Sequence, residues 1–279
     1  SYYIDSNKGN DKADGRSALR AWKTFKHVKQ MTFEPGDKLL FKAGGRWQGQ
    51  LKLKGAGTVE NPIKVGRYGQ GKLPLIAGQG KTKAAVVLAN GSHWVIEDLE
   101  VTNTIPGGKR LNGMKGVSVE ANAGGVFKNI TLRRLHVHHV SGGWDRSGGQ
   151  GIIVAASADK DDGSTKKSRY DGVLIEDCYV HDVSFYAIMV SGWNNRFRDK
   201  RWFPSTNVVV RNNFTRDSGG DSIVVIACDK PLIVNNEGHR AAIGQSNGGK
   251  THAAGMWPHS SDGTVMRYNK VVGIDAKAD

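Results

Sequence analysis

The chain has 279 residues, and 40 Lys and Arg against 26 Asp and Glu give it a formal charge of +14. That length supports one large domain or two small ones, and a content of 24% charged and 38% hydrophobic residues excludes wholesale disorder. Two cysteines exclude a disulfide-rich scaffold and a four-thiolate zinc site, and no run of 18 or more apolar residues is present to span a bilayer.

The basic excess points to a polyanionic partner or to solubility alone. It is uneven: residues 1–150 hold 24 basic and 11 acidic residues, whereas 151–279 hold 16 and 15. The chain opens at Ser1 without Met or an apolar leader. A removed signal peptide, and with it a secreted or periplasmic location, is the expectation, a trimmed chain the alternative.

In chain order, Ser17 is a candidate cap for a helix carrying Leu19, Trp22, Phe25 and Val28. Within an N-terminal cap of about residues 1–36, this helix would cover the open end of whatever follows. A short motif then recurs six times, beginning with Val95-Ile96-Glu97-Asp98-Leu99-Glu100-Val101 and Thr131-Leu132-Arg133-Arg134-Leu135-His136-Val137. Copies start again at Leu174, Val209, Ile233 and Val265, in steps of 36, 43, 35, 24 and 32 residues between their second positions. Between them lies a second strand series: Val117-Ser118-Val119, Ile152-Ile153-Val154, Ile188-Met189-Val190, Ile223-Val224-Val225 and Met256-Trp257-Pro258. Short strands at a repeat too short for crossover helices must stack on their sequence neighbours. The expected fold is therefore all-β, a single-stranded right-handed parallel β-helix over 1–279. Val271-Val272-Gly273-Ile274 reads as one more strand without a cap, so further C-terminal coils or a partner chain are expected to cover that end.

Two stretches carry a resemblance. The opening Tyr2-Tyr3-Ile4-Asp5-Ser6-Asn7-Lys8-Gly9-Asn10-Asp11, followed by Ala21-Trp22-Lys23-Thr24, looks like the start of many secreted β-helix proteins. Gly219-Gly220-Asp221-Ser222-Ile223, Cys228-Asp229-Lys230-Pro231-Leu232-Ile233, Ala254-Gly255-Met256-Trp257-Pro258 and Ser261-Asp262-Gly263-Thr264-Val265 are more specific. Together they are similar to bacterial β-helix polysaccharide lyases, including family 31 alginate lyases. The resemblance implies β-elimination on an anionic uronate polysaccharide, with alginate favoured. Gly-His-Gly and Arg-Ile-Lys, the signatures of pectin hydrolases on this fold, are both absent.

Chemistry is expected in a groove along the second strand series, walled by long turn insertions. One insertion carries Lys160, Lys166, Lys167 and Arg169. The next carries Arg196, Arg198, Lys200 and Arg201 among Trp193, Phe197, Trp202 and Phe203. Cations alternating with aromatics suit uronates, and would equally suit single-stranded nucleic acid, which is not the expected partner. β-Elimination needs a base, an acid and a carboxylate neutraliser. The candidates are Lys230 as base, Tyr186 as acid or second base, and Arg146 or Arg196 as neutraliser. Trp193, Asn194, Arg198, Asp221, Trp257 and His259 are the candidate substrate-binding residues. Lys230 before Pro231 also reads as a turn lysine, and Tyr186 as an aromatic wedge at a strand entrance.

His136 and His138 alternate within one strand, His139 follows, and His181 ends the equivalent copy. That spacing fits metal ligands and also an ordinary surface strand. No cofactor is required by the sequence; scattered Asp145, Asp221, Asp229 and Asp262 are a set that can hold calcium. Cys178, Asn213 and Asn269 fall on an inward, structural position of the repeat. Two other readings stand beside the lyase: a non-catalytic glycan-binding or adhesin β-helix, and a glycoside hydrolase or uronate epimerase on the same scaffold.

Overall fold

The computed structural model describes residues 1–105, 112–143, 148–157, 167–192, 202–246 and 253–275. Their strands form three parallel sheets, of ten, seven and eight strands among the described residues. One coil shows the path. Gly125–Arg133 lies in the ten-stranded sheet, His136–Val140 in the eight-stranded sheet and Gln150–Ala156 in the seven-stranded sheet. The next coil repeats it with Ser168–Glu176, Tyr179–Val183 and Ile188–Ser191. This is the parallel β-helix that the repeats predict.

Strand alternation builds the interior. Val117, Ile152, Ile188 and Ile223 stack in register on one wall, and Ile96, Leu132, Ile175 and Val210 on another, all buried. The turn between the ten- and eight-stranded sheets needs left-handed backbone. Asp98, Arg134, Asp177, Asn212, Asn235 and Tyr268 supply it, with φ between 50° and 57°. Asp and Asn adopt that region more readily than other side chains, which accounts for most of these residue types.

Register corrects one repeat. Val210 pairs with Ile233 and Ile233 with Met266, so the fifth copy begins at Leu232 and its Asn236 stacks on Asn213. Asn213, Asn236 and Asn269 then form an inward ladder. Asn213 Oδ1 accepts the Cys178 amide at 3.0 Å, Asn236 Oδ1 accepts the Asn213 amide at 3.0 Å, and Asn269 Oδ1 the Asn236 amide at 3.0 Å. Each side-chain amide that donates to a carbonyl inside the turn satisfies a buried group that an apolar residue would leave bare. Cys178 sits at the same level, and burial pushes its thiol up to about 12.

The N-terminal cap differs from the expected helix. Ala18–Arg20 and Val28–Gln30 are short 3-10 turns, and Leu19 is 99% exposed. The reason lies in the backbone. Trp22 donates its N–H to Tyr3 and accepts from Asp5, so this segment pairs with the Tyr2–Ile4 strand instead of coiling. Asp11 fixes the bend by accepting the Lys23 and Thr24 amides at 2.9 Å each. Trp22, Phe25 and Val28 still bury themselves in the core, so the covering function survives the change of conformation. Among the described residues no helix is long and apolar enough to cross a membrane.

Candidate active site

Each coil turns from the eight-stranded to the seven-stranded sheet at a corner, and the corners stack into a column. His138 pairs with His181 and His181 with Arg216, while Val140 pairs with Val183 and Val183 with Ser218. One residue between each pair is therefore extra: His139, Asp182 and Asp217. Arg240, after Glu237–His239, continues the column on the next coil. All four are left-handed, with φ of 51°, 51°, 51° and 52°. The preceding coil, Glu100–Asn103, lacks the extra residue, and the register shifts there between His138 and Val140.

The column borders a cavity of about 300 Å³, whose polar lining includes Thr104, His139, Ser141, Asp182, Ser184 and Asp217. Val140, Val183 and Ile243 give it apolar walls. Coils stack at about 4.8 Å, so Asp182 and Asp217 stand one coil apart on the same edge. Close packing keeps the corner in place: a Cβ on Gly151 would lie 2.5 Å from the Ala187 carbonyl oxygen of the next coil.

The two carboxylates have different partners. Asp217 lies between Arg216 Nε and Arg240 Nε, each at 3.0 Å. Asp182 accepts from His181 Nδ1 at 2.5 Å. Burial works to raise the Asp182 carboxyl, but the His181 hydrogen bond and the charges of His181, His139 and Arg216 hold it below its ordinary value. His181 is itself lowered, chiefly by burial. The arrangement that satisfies both is an ionised Asp182 beside a neutral His181 that donates its Nδ1–H.

Next to this corner the eight-stranded sheet carries an imidazole cluster on its outer face. His138 Nε2 is 3.0 Å from Glu100 Oε1, His136 Nε2 is 2.8 Å from His181 Nε2, and His138 Nδ1 is 2.6 Å from His139 Nδ1. Burial, with His138 and His181 adding to it, pulls His136 down to about 4. Two triads there have the donor spacing of a metal site: Glu100, His136 and His138, and His139, His181 and Asp182.

The expected groove fares differently. Ile153 and Val224 point out of the coil from the seven-stranded sheet yet are buried, so that face is not open along its length. Tyr186 stands at the corner, its ring 3.8 Å from that of Phe185 and its carbonyl accepting the Gly151 amide. Lys230, in left-handed backbone at φ 48°, closes the far end, where its amide donates to the Asp262 carbonyl. Ile188 pairs with Ile223, so Tyr186 is level with Asp221, and the strand Ile223–Ile226 and Cys228–Asp229 both intervene before Lys230. The structure does not bring this acid and base together.

Asp221 and Trp257 do meet. Asp221 is fully buried, Oδ1 accepts the Ala254 amide at 2.6 Å, and burial raises its carboxyl against the pull of the Trp257 indole and the Ala254 and Gly255 amides. Trp257 and His259 share the outer face of Met256–His259, with rings 5.3 Å apart. Arg146, Trp193, Asn194, Arg196 and Arg198 lie outside the described residues. Asp182 and Asp217 carry no mark in a single repeat copy. Aligning His138-His139-Val140 with His181-Asp182-Val183 and Arg216-Asp217-Ser218 would have exposed them as one column.

Comparison with known proteins bears on the chemistry. The chain is 27% identical to the lacto-N-biosidase of Bifidobacterium longum subsp. longum, over 97% of its own length. It also superimposes on the GH136 lacto-N-biosidase of Eubacterium ramulus with a TM-score of 0.87, over its full length and at 25% identity. Its likeness is to lacto-N-biosidases. It spans 22% of the first of these proteins and 52% of the second. No family model matches. An alginate lyase from Paenibacillus sp. reaches a TM-score of only 0.34 at 16% identity. These findings overturn the polysaccharide-lyase expectation, and with it the alginate and uronate substrate. The repeats and corner turns behind that resemblance belong to the β-helix in general, so they indicated fold and not reaction. The glycoside hydrolase alternative is the reading they favour.

Proposed function

We propose that this chain forms the β-helix part of a glycoside hydrolase acting on lacto-N-biosides, with Asp182 and Asp217 as its working carboxylates. The observation that carries the reading is the full-length superposition on a GH136 lacto-N-biosidase at a TM-score of 0.87. The site supports it. Glycoside hydrolysis needs two carboxyl groups flanking the scissile bond, and a separation of about 5–5.5 Å suits a covalent intermediate with retained configuration. Stacking at about 4.8 Å per coil brings Asp182 and Asp217 close to that range.

Roles follow from surroundings. Asp217 is held in place on the neighbouring coil by two guanidinium groups, each at 3.0 Å. Asp182, ionised beside the His181 Nδ1–H, is suited to act as an acceptor, either as nucleophile or as base toward the attacking water. Thr104, Ser141 and Ser184 offer hydroxyls to a sugar.

The test is incubation of the 279-residue chain with a chromogenic lacto-N-bioside, following disaccharide release and the anomer first formed. Release of lacto-N-biose with retained configuration supports the reading. Release that is undiminished in Asp182→Asn and Asp217→Asn would remove these two residues from the chemistry.

A further inference from the structure

We propose that Glu100, His136 and His138 form a binding site for one zinc-class divalent ion, with His181 as an adjacent fourth donor. Strand alternation puts His136 and His138 on the outer face of His136–Val140, and register sets Glu100 directly beside His136. The same pairing on the other side brings His181 level with His138. One ligand atom from each of Glu100, His136 and His138 lies within 4.8 Å of the others. The Glu100 Oε1 to His138 Nε2 distance of 3.0 Å and the His136 Nε2 to His181 Nε2 distance of 2.8 Å are tighter still. A tetrahedral zinc ion with ligands at about 2.0–2.1 Å sets neighbouring ligand atoms about 3.3 Å apart, so small side-chain rotations complete the shell.

The chemistry of the donors selects the ion. Two or three imidazole nitrogens with a single carboxylate suit zinc and its neighbours, whereas calcium and magnesium call for a mainly oxygen shell. The site is reachable: the His138 and Glu100 side chains retain 15% and 27% exposure. None of Glu100, His136 and His138 lines the cavity, and the site meets the proposed carboxylate pair only through His181, whose Nδ1 lies 2.5 Å from Asp182. The other triad, His139, His181 and Asp182, would take a carboxylate out of that pair, which is why the ion is assigned to the first.

The experiment strips the 279-residue chain with a chelator, then titrates zinc against a chromophoric indicator and records the visible spectrum with cobalt in its place. The expected result is one equivalent bound, a four-coordinate cobalt spectrum, and zinc affinity at least tenfold weaker in His136→Ala and in His138→Ala. His93→Ala, on a different sheet turn, leaves binding unchanged. If either alanine variant loses its melting transition, Glu100→Gln, a near-isosteric change at a partly exposed carboxylate, gives the same comparison. No stoichiometric zinc binding, binding indifferent to all three substitutions, or displacement of zinc by excess calcium would overturn the proposal.

Discussion

Asp182 and Asp217 occupy the same left-handed position on consecutive coils, and that placement has a measurable consequence. Replacing Asp217 by Asn removes the charge between Arg216 and Arg240 but keeps the side-chain volume. The expected result is a loss of about 10²-fold or more in kcat, the scale of a lost nucleophile or acid–base group, with a melting transition still present. Steady-state rates beside thermal melts of the same preparation check it. Asp221 behaves differently, because it is buried and its carboxyl is raised. The folded chain therefore holds a proton there that the unfolded chain releases above about pH 4, near the ordinary value of 3.8. Stability should fall as pH rises through the window from that value up to the folded one, and stay lower above it. Asp221→Asn should flatten that dependence, read as melting temperature against pH for both proteins; parallel curves would contradict the assignment. Asp221 could be picked out from its Gly-Gly-Asp-Ser context, and Trp257 from its strand. Asp182 and Asp217 are invisible in any one copy, because nothing in a single copy marks a residue as extra. Setting the copies against one another, in sequence or by their pairing, shows it.

At the scale of elements, the strands were legible and the turns less so. Alternating Ile and Val fix which side of each strand faces inward whatever the length of the intervening loop. The position of a turn within its repeat depends on one residue of register, and the short step before Leu232 left that residue undetermined. Asn236 was missed as a ladder member for that reason. The ladder is load-sharing: Asn213 accepts from Cys178 and donates to both Ile175 and Asn236. Asn213→Ala would strand the buried Cys178 amide and the Ile175 carbonyl, at a cost of about 1–3 kcal/mol for each group left unpaired. Denaturant melts measure it, and a change within 0.5 kcal/mol would show that the ladder does not hold the turn. In the cap, the threefold spacing of Leu19, Trp22, Phe25 and Val28 looked helical because three of the four do face the core. The pairing of Trp22 with Tyr3 decides the conformation instead. Trp22→Ala should cost about 3–5 kcal/mol, whereas Leu19→Ala, at a 99% exposed position, should be nearly neutral.

At the scale of the whole molecule, a β-helix separates support from chemistry. Three inward-packed walls carry the stability, which leaves the corners free to carry the carboxylates of the proposed site. This explains why repeats and composition led to the right fold and to the wrong reaction. The charge of +14 pointed to a polyanion, yet the candidate cavity is edged by two aspartates, and the basic excess lies mainly in residues 1–150. The corner column is the proposed glycosidase site. Its most direct test is the rate of lacto-N-biose release from a chromogenic lacto-N-bioside by the 279-residue chain and by its Asp182→Asn and Asp217→Asn variants. The expected result is release by the unaltered chain and a loss of about 10²-fold or more in each variant. Release that persists in both variants would contradict it, as would a folded chain that releases no disaccharide at all.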